Sequence, residues 1–439
     1  MRLAIVFEIN NNIENIKTFR NWRRRTVDHG VQPMKAGEDL MLRRTFNSLM
    51  VSVALFSLGA GAAMAEETLK IGVSASKTGP LTAGATAVYW PNMQLWVHDV
   101  NQKGGIKIGE KRLKVELVEY DDKSGPEEAV KNIQRLATVD KVDFIVAPYT
   151  TGINLAAAPL IARYGYPQLI ATGNANELET FVKRWPNSFW LLGKASDLSS
   201  GIVGTLKTLR DKGQIGNKVA LAHVGEAFGL EMIQSARPAF KTAGFDVVYE
   251  TSYPIGTQDL APIISGAKAA KADAFVAFSY PPDTFALTEQ AQIQGLNVDA
   301  FYVGVGGALS GYAKRFAKQA EGVLAMGGIN PADRAYKDYR ERHKQVTGQE
   351  PDYWASPVVY ASLQMLEQAI EKVGSKDRAA VTKAISTGTF DTVIGKVSFN
   401  NNILGRVWTV GQWSNGVLQG VNGLGVDGAN APVKKPAWN

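Results

Sequence analysis

The chain has 439 residues, is 45% hydrophobic and 20% charged, contains no cysteine and carries a formal net charge of +7. The lack of cysteine excludes structural disulfides and an acylated cysteine at a cleavage site, and a chain this long buries enough apolar surface to fold without such staples. The charge misleads: residues 1–65 hold 9 Lys+Arg against 5 Asp+Glu, which leaves 39 basic and 36 acidic residues, net +3, with no basic stripe interleaved with aromatics, so nucleic acid is not an expected partner.

Residues 1–40 include the basic run Arg20-Asn21-Trp22-Arg23-Arg24-Arg25 but no periodicity, and read as an over-extended reading frame. Met41 opens a signal-peptide pattern over residues 41–65: Arg43-Arg44, an apolar stretch from Leu49 to Leu58 too short to span a bilayer, and Ala63-Met64-Ala65 before Glu66. Arg43-Arg44-Thr45-Phe46 also has the look of a twin-arginine signal, with an ordinary Sec leader the simpler reading. The mature chain is therefore expected to be exported and soluble in the periplasm.

From Leu69 onward, strand-like and helix-like runs alternate. Leu69–Val73 reads as a strand, Asn92–Val100 as helix ending at Lys103-Gly104-Gly105, and Leu113–Tyr120 as an alternating strand closed by Asp121-Asp122. Pro126-Glu127-Glu128 opens the next helix, with proline and acids in its first turn. Strands at Phe144–Ala147, Gln168–Ile170, Lys218–His223, Val247–Glu250, Ala274–Phe278 and Phe301–Val305 follow. Helices are read at Ala156–Tyr164, Met232–Ala243, Leu260–Ala269, Ala286–Gln294 and Val358–Lys372, with a further segment around Ala308–Ala320. This order argues an α/β fold with parallel sheets covered by helices, and roughly 370 mature residues argue two domains. Lys396–Phe399 and Arg406–Trp413 read as strands flanking a turn at Asn400-Asn401-Asn402, and the Gly/Asn-rich tail after Gly420 reads as disordered.

Two loops stand out. Tyr149-Thr150-Thr151-Gly152 and Ala171-Thr172-Gly173-Asn174 each follow a short apolar strand and precede a helix-like segment. Hydroxyl, amide and glycine residues there leave backbone N–H groups free at strand ends, where open α/β sheets bind ligands, and helix N-termini favour anions. The same residues would also serve as ordinary βα turns with good caps.

Other candidates carry less. His98 reads as a helix residue, exposed or packed, His343 sits on a solvated helix face, and His223 ends a strand with some prospect of touching ligand; none has a nucleophile or metal-ligand partner at informative spacing. Asp121-Asp122 point to opposite faces of a strand and suit turn formation better than paired catalysis. Gly304-Val305-Gly306-Gly307 lacks the spacing of a dinucleotide fingerprint.

Over residues 68–420 the chain resembles the leucine/isoleucine/valine-binding proteins of ABC transporters, the type I periplasmic solute-binding proteins. The marks are Ile71-Gly72-Val73 before Thr78-Gly79-Pro80-Leu81, Val100-Asn101-Gln102-Lys103-Gly104-Gly105-Ile106, Tyr120-Asp121-Asp122 before Pro126-Glu127-Glu128-Ala129-Val130, Phe228-Gly229, Gln294-Gly295-Leu296, Glu321-Gly322-Val323 and Tyr360-Ala361-Ser362-Leu363, in that order. The resemblance implies two Rossmann-like lobes joined by a three-strand hinge: residues 66–195 plus 328–399, and 196–327 plus 400–425, with 426–439 a flexible tail. It implies a monomer without metal or cofactor that closes over a small solute and delivers it to a membrane permease. The other readings are a periplasmic sensor for an aromatic or aliphatic carboxylate or amide and, further off, an exported hydrolase.

Carried over residue by residue, the resemblance places Thr151, with Thr150 beside it, on the ligand carboxylate, and Thr172 and Asn174 in the next loop. Asp197 falls on a family aspartate, Phe228 on a cleft tyrosine whose hydroxyl is lost, and Tyr280 on one that is retained. The second-lobe acid that pairs with a ligand ammonium falls on Gly306, and a buried ammonium without its anion costs several kcal/mol; Asp197 or Glu226 are the possible substitutes. Gly84 replaces a pocket side chain and is expected to leave room, with Trp90, Tyr353 and Trp354 as aromatic candidates to fill it. Tyr89 and Trp96 are further aromatics, core or pocket.

Overall fold

The computed structural model describes residues 67–438, so the expected over-extended segment 1–40 and signal peptide 41–65 lie outside the described residues. Strand β1 (Leu69–Ala75) is buried at six of its seven positions and forms the centre of a parallel sheet of order β4-β1-β5. A short turn at Thr82–Gly84 and a π-helical stretch at Ala85–Tyr89 lead into α1 (Trp90–Gln102). That helix stops where expected, because Gly104 and Gly105 take positive φ and the Gly105 N–H returns to the Val100 carbonyl at 3.0 Å. A hairpin of β2 (Ile106–Ile108) and β3 (Lys111–Leu113) precedes β4 (Val115–Asp121), and α2 (Pro126–Thr138) opens on its proline and acids as read. Then come β5 (Phe144–Val146), α3 (Thr151–Arg163), β6 (Gln168–Ile170), α4 (Leu178–Arg184) and β7 (Ser188–Trp190), with β6 and β7 parallel.

The second lobe begins with α5 (Ala195–Asp211) and runs β8 (Lys218–Val224), α6 (Ala227–Thr242), β9 (Asp246–Tyr253), α7 (Ala261–Ala269), β10 (Ala274–Phe278), α8 (Pro281–Ile293), β11 (Ala300–Val303), α9 (Ser310–Phe316) and β12 (Leu324–Met326). The chain then returns to the first lobe with α10 (Arg334–Thr347), α11 (Ala355–Val373), α12 (Arg378–Thr387) and the hairpin β13 (Thr389–Thr392), β14 (Gly395–Ser398). It crosses once more to add β15 (Val407–Ser414) and β16 (Val417–Leu424) to the second sheet, whose order is β16-β15-β12-β11-β10-β8-β9. Strands β8 to β12 are parallel, and β8, β10, β11 and β12 are continuously buried in their centres, as expected of a sheet covered by helices on both faces, while the edge strand β9 stays partly exposed. This is the periplasmic binding protein type I architecture, two α/β lobes joined by three crossing segments. No helix among the described residues is long and apolar enough to cross a membrane.

Three local readings need correction. The segments around 396–399 and 406–413 do not pair with each other: β14 pairs with β13, β15 pairs with β12 and β16, and the Asn400-Asn401-Asn402 turn lies in the crossing between lobes. Helix α5 escapes a reading by hydrophobic periodicity because its first turns are small and polar; those residues permit close approach, since a Cβ on Gly201 would lie 2.2 Å from Thr409 Oγ1 of β15. The region after Gly420 is not disordered. It completes β16, and residues 426–438, expected to be a flexible tail, run along the second lobe. Gln412 accepts from the Val433 N–H at 2.9 Å, the Trp438 ring packs edge-on to Phe301 at 4.9 Å, and its indole donates to the Gln319 carbonyl at 2.8 Å. Gly322 permits this, because a side chain there would meet Pro436 Cδ at 2.7 Å.

Helix α8 shows how the second lobe sets a cleft residue in place. Tyr280 precedes Pro281, and the Asp283 carboxylate accepts from the Tyr280 N–H and the Tyr253 hydroxyl, both at 3.4 Å. Burial pushes the Asp283 carboxyl up to about 6. The folded state therefore binds this proton more tightly than the unfolded chain, so its contribution to stability is full below the ordinary aspartate range and is lost as pH rises through about 6. Relative to wild type, Asp283→Asn should gain about 2–3 kcal/mol between pH 4 and pH 7, read from urea midpoints at each pH. At the other end of the chain, Trp438→Ala should cost about 1–2 kcal/mol; an unchanged urea midpoint would return the tail to a passive role.

Candidate functional site

The two loops singled out in the sequence face each other across the end of β5 and β6. Asn154, one turn into α3, donates to the carbonyls of Pro148 at 2.6 Å and Thr150 at 2.8 Å, and Gln168 of β6 donates to Asn154 Oδ1 at 3.1 Å. This fixes the loop so that Thr150 is held at φ 74°, ψ 160°, a region that favours glycine and is costly for a β-branched residue. The Thr172 hydroxyl accepts the Thr150 N–H at 3.3 Å, and Thr151 Oγ1 both accepts from the Asn174 N–H at 3.2 Å and donates to Asn174 Oδ1 at 3.3 Å. Thr150, Thr151, Thr172 and Asn174 are thus one hydrogen-bonded group at the N-terminus of α3.

The second lobe meets this group from β8–α6 and β10–α8. Phe228 and Tyr280 stand with ring centroids 5.4 Å apart. Both line a common cavity with Tyr149, the three threonines, Asn174 and Trp354. The lobes are closed down on it, leaving about 20 Å³, room for about one water molecule. Two polar atoms of the lining residues are buried without a hydrogen-bond partner: the Trp354 indole N–H and Thr150 Oγ1. Buried polar groups are nearly always satisfied, so two unpartnered atoms among the lining residues make this cavity the candidate site.

Glu226 joins the lobes. Its carboxylate N-caps α6 through the Phe228 N–H at 2.9 Å, accepts the Tyr280 hydroxyl at 2.7 Å, and reaches across to the Gly152 N–H of α3 at 3.2 Å. Burial and this carboxylate together hold the Tyr280 hydroxyl well above its ordinary range, so it remains a donor. A second bridge runs from Asn176, whose backbone and side-chain N–H groups both donate to Glu231 of α6 at 2.8 Å. Asn174 also touches the opposite lobe, its amide lying 3.4 Å from Met232 Sδ.

Other sequence candidates are placed elsewhere. Asp197 does not line the cavity; its carboxylate accepts the Lys194 N–H at 3.4 Å and completes the start of α5. No space is left beside Gly84, because the Tyr149 hydroxyl would lie 2.0 Å from a Cβ there. Gly306 cannot stand in for an acid, since a Cβ would lie 2.6 Å from Pro281 Cα and Thr284 Cβ. Trp90 donates to the Ser76 carbonyl and borders an outer groove, Tyr89 and Trp96 belong to the core, and Tyr353 packs on Trp413. His343 is buried rather than solvated, its ring bonded to the Gln349 carbonyl, and His223 is buried outside the cavity lining. Asp121 and Asp122 bind backbone N–H groups of their own turn. Asn154 and Gln168 were missed, although each is a polar residue inside an apolar run, the one signal that could have found them.

A periplasmic binding protein family model matches residues 68–417. Leu/Ile/Val-binding protein homolog 7 of Brucella abortus is 26% identical over 395 residues, covering 84% of this chain and 95% of the relative. Leu/Ile/Val-binding protein BraC3 of Rhizobium johnstonii is 24% identical over 384 residues, covering 86% and 99%. Among solved structures, the branched-chain amino acid transporter substrate binding protein LivJ of Streptococcus pneumoniae, in complex with isoleucine, superposes with a TM-score of 0.70 at 20% identity, covering 82% of this chain and 99% of that one. A solute binding protein of an ABC transporter from Rhodopseudomonas palustris, in complex with 3,4-dihydroxybenzoic acid, gives 0.68 at 21% identity, covering 83% and 99%. With the family match extending over both lobes and the cleft between them, the chain belongs to the periplasmic binding protein family.

Proposed function

We propose that this chain captures a small apolar or aromatic carboxylate or amide without an α-ammonium group, closes over it, and presents it to the permease of an ABC importer. It does so in the periplasm, as a monomer, and without chemical change to the ligand. The observation that carries the ligand class is the electrostatics of the cleft: its lining is neutral, the position of the expected acid is sterically closed at Gly306, and the neighbouring Glu226 is already satisfied by Gly152, Phe228 and Tyr280. An ammonium buried there would have no free anion. A carboxylate or carbonyl, by contrast, suits the N-terminus of α3 and the unpaired Trp354 N–H. That the same fold holds 3,4-dihydroxybenzoic acid in the Rhodopseudomonas palustris protein supports the class.

A second reading keeps a branched-chain amino acid as ligand. It is favoured by one feature: opening the lobes breaks the Gly152–Glu226 bond and frees a carboxylate oxygen beside the cleft. In either case ligand stabilises the closed form because it bonds to both lobes only there.

A thermal-shift screen decides between them, since a ligand that binds only the folded state raises the melting temperature. The panel is leucine, isoleucine and valine, benzoate and hydroxybenzoates, branched aliphatic acids, and their amides. Shifts confined to compounds without an α-amino group are expected; a shift with leucine, isoleucine or valine transfers the counter-ion role to Glu226 and overturns the first reading. With the compound so found, Asn174→Ala should weaken binding by about tenfold while the chain still folds cooperatively, its urea midpoint lowered only by the loss of the buried Thr151 hydrogen bond, about 1 kcal/mol. Unaltered affinity by calorimetry would remove Asn174 from the site.

A further inference from the structure

A larger cavity lies outside the cleft. It encloses about 160 Å³ and is walled by two of the three segments that cross between the lobes, Gly328–Asn330 and Arg406–Trp408, together with Val393 and Ile394 of the β13–β14 turn, with Val426 and Asp427 of the C-terminal run closing one side. Cavities of about 150 Å³ accept a benzene ring. Trp354 lines both this cavity and the cleft, so one indole separates them.

The lining has a definite chemistry. Three aromatic rings, Trp354, Trp408 and Tyr336, share it with two carboxylates, Asp333 and Asp427. Asp333 is half-buried and caps α10 with one oxygen, bonded to the Tyr336 N–H at 3.3 Å. Asp427 is exposed at the rim and has no hydrogen bond or ion pair among the described residues. The one basic group, Arg406, is turned to protein carbonyls, donating to Ile394 at 3.2 Å and Gly425 at 2.7 Å, and makes no ion pair with either aspartate. Aromatic faces attract cations, most strongly where water is excluded, and carboxylates add to that attraction. We infer that the hinge cavity is a second ligand site, for a small organic ammonium ion with an apolar or aromatic body. The ring or alkyl body fills the space against Trp354, Trp408 and Val358, and the ammonium sits toward Asp427 and Asp333. The cleft, with its neutral lining and helix N-terminus, selects the opposite charge, so the two cavities would not compete for one compound.

The probe is benzylammonium, with benzyl alcohol as its neutral counterpart, titrated into the full chain by calorimetry at pH 7. Benzylammonium is expected to bind one per chain and benzyl alcohol more weakly. Asp427→Asn should weaken benzylammonium about threefold, as expected for loss of an exposed ion pair, and leave benzyl alcohol unchanged. Val426→Trp, placed on irregular backbone at the cavity edge, should abolish binding with the urea midpoint retained. Phe228→Ala, which alters only the cleft, should leave benzylammonium binding intact. No binding of benzylammonium, equal binding of the alcohol, survival of binding in Val426→Trp, or its loss in Phe228→Ala would each overturn the assignment.

Discussion

Two carboxylates of one helix, Glu226 and Glu231 of α6, tie the two lobes together, and Glu226 is the one beside the cleft. Glu226 begins α6 in the second lobe and accepts a hydrogen bond from the first residues of α3 in the first. The position is electrostatically favourable, because the N-terminus of a helix carries partial positive charge and unpaired N–H groups. A single charge-assisted bond of this kind contributes about 1.5–3 kcal/mol. That is enough to bias a hinge and too little to lock it. A ligand that binds both lobes then needs only a modest differential affinity to move the population toward closure, and the same helix end that receives Glu226 is the one that faces the ligand cavity.

The shape of the cleft follows from where side chains are missing. At Gly84 the absent Cβ admits the Tyr149 hydroxyl, and at Gly306 it admits the start of α8, including Pro281. The sequence reading expects room at Gly84 and a missing acid at Gly306, and in both cases a neighbour takes the space. The consequence runs from packing to specificity. Pro281 pressed against Gly306 brings Tyr280 up to Glu226, and that contact occupies the acid nearest the cleft.

Much of this was legible in the sequence because the relevant signals are local. Glycine stops such as Lys103-Gly104-Gly105, the proline and acids that open α2, and the short apolar strands β5 and β6 each follow from backbone geometry and burial at one place in the chain. Threonines and an asparagine at two successive strand ends are local signals of the same kind, and they come together in the lining of one cavity. What escaped depends on partners distant in sequence. Helix α5 is poor in periodic signal because it must lie close to β15, some 200 residues on, at Gly201 and Thr409. The tail from residue 426 is polar and glycine-rich, yet Trp438 and the buried Lys435 find places on the second lobe that no local pattern announces. Asp197 was placed by correspondence with relatives, but here the carboxylate is consumed by its own helix start, a contact three residues away.

Thr150 draws these strands together. Its backbone sits where glycine belongs, at a cost of about 1–3 kcal/mol for a β-branched residue. The surroundings impose that conformation: Asn154 grips the carbonyls on either side of Tyr149, and Thr172 takes the N–H. Glycine would relieve the strain at once, at the loss of the buried γ-methyl and of the hydroxyl, which has no hydrogen-bond partner. Strain and orphan hydroxyl therefore have a common explanation. The loop is built in advance to aim an unsatisfied hydroxyl at the cleft, so the ordering cost is met during folding and not on binding. A polar group brought to that point meets a hydroxyl already desolvated and already oriented.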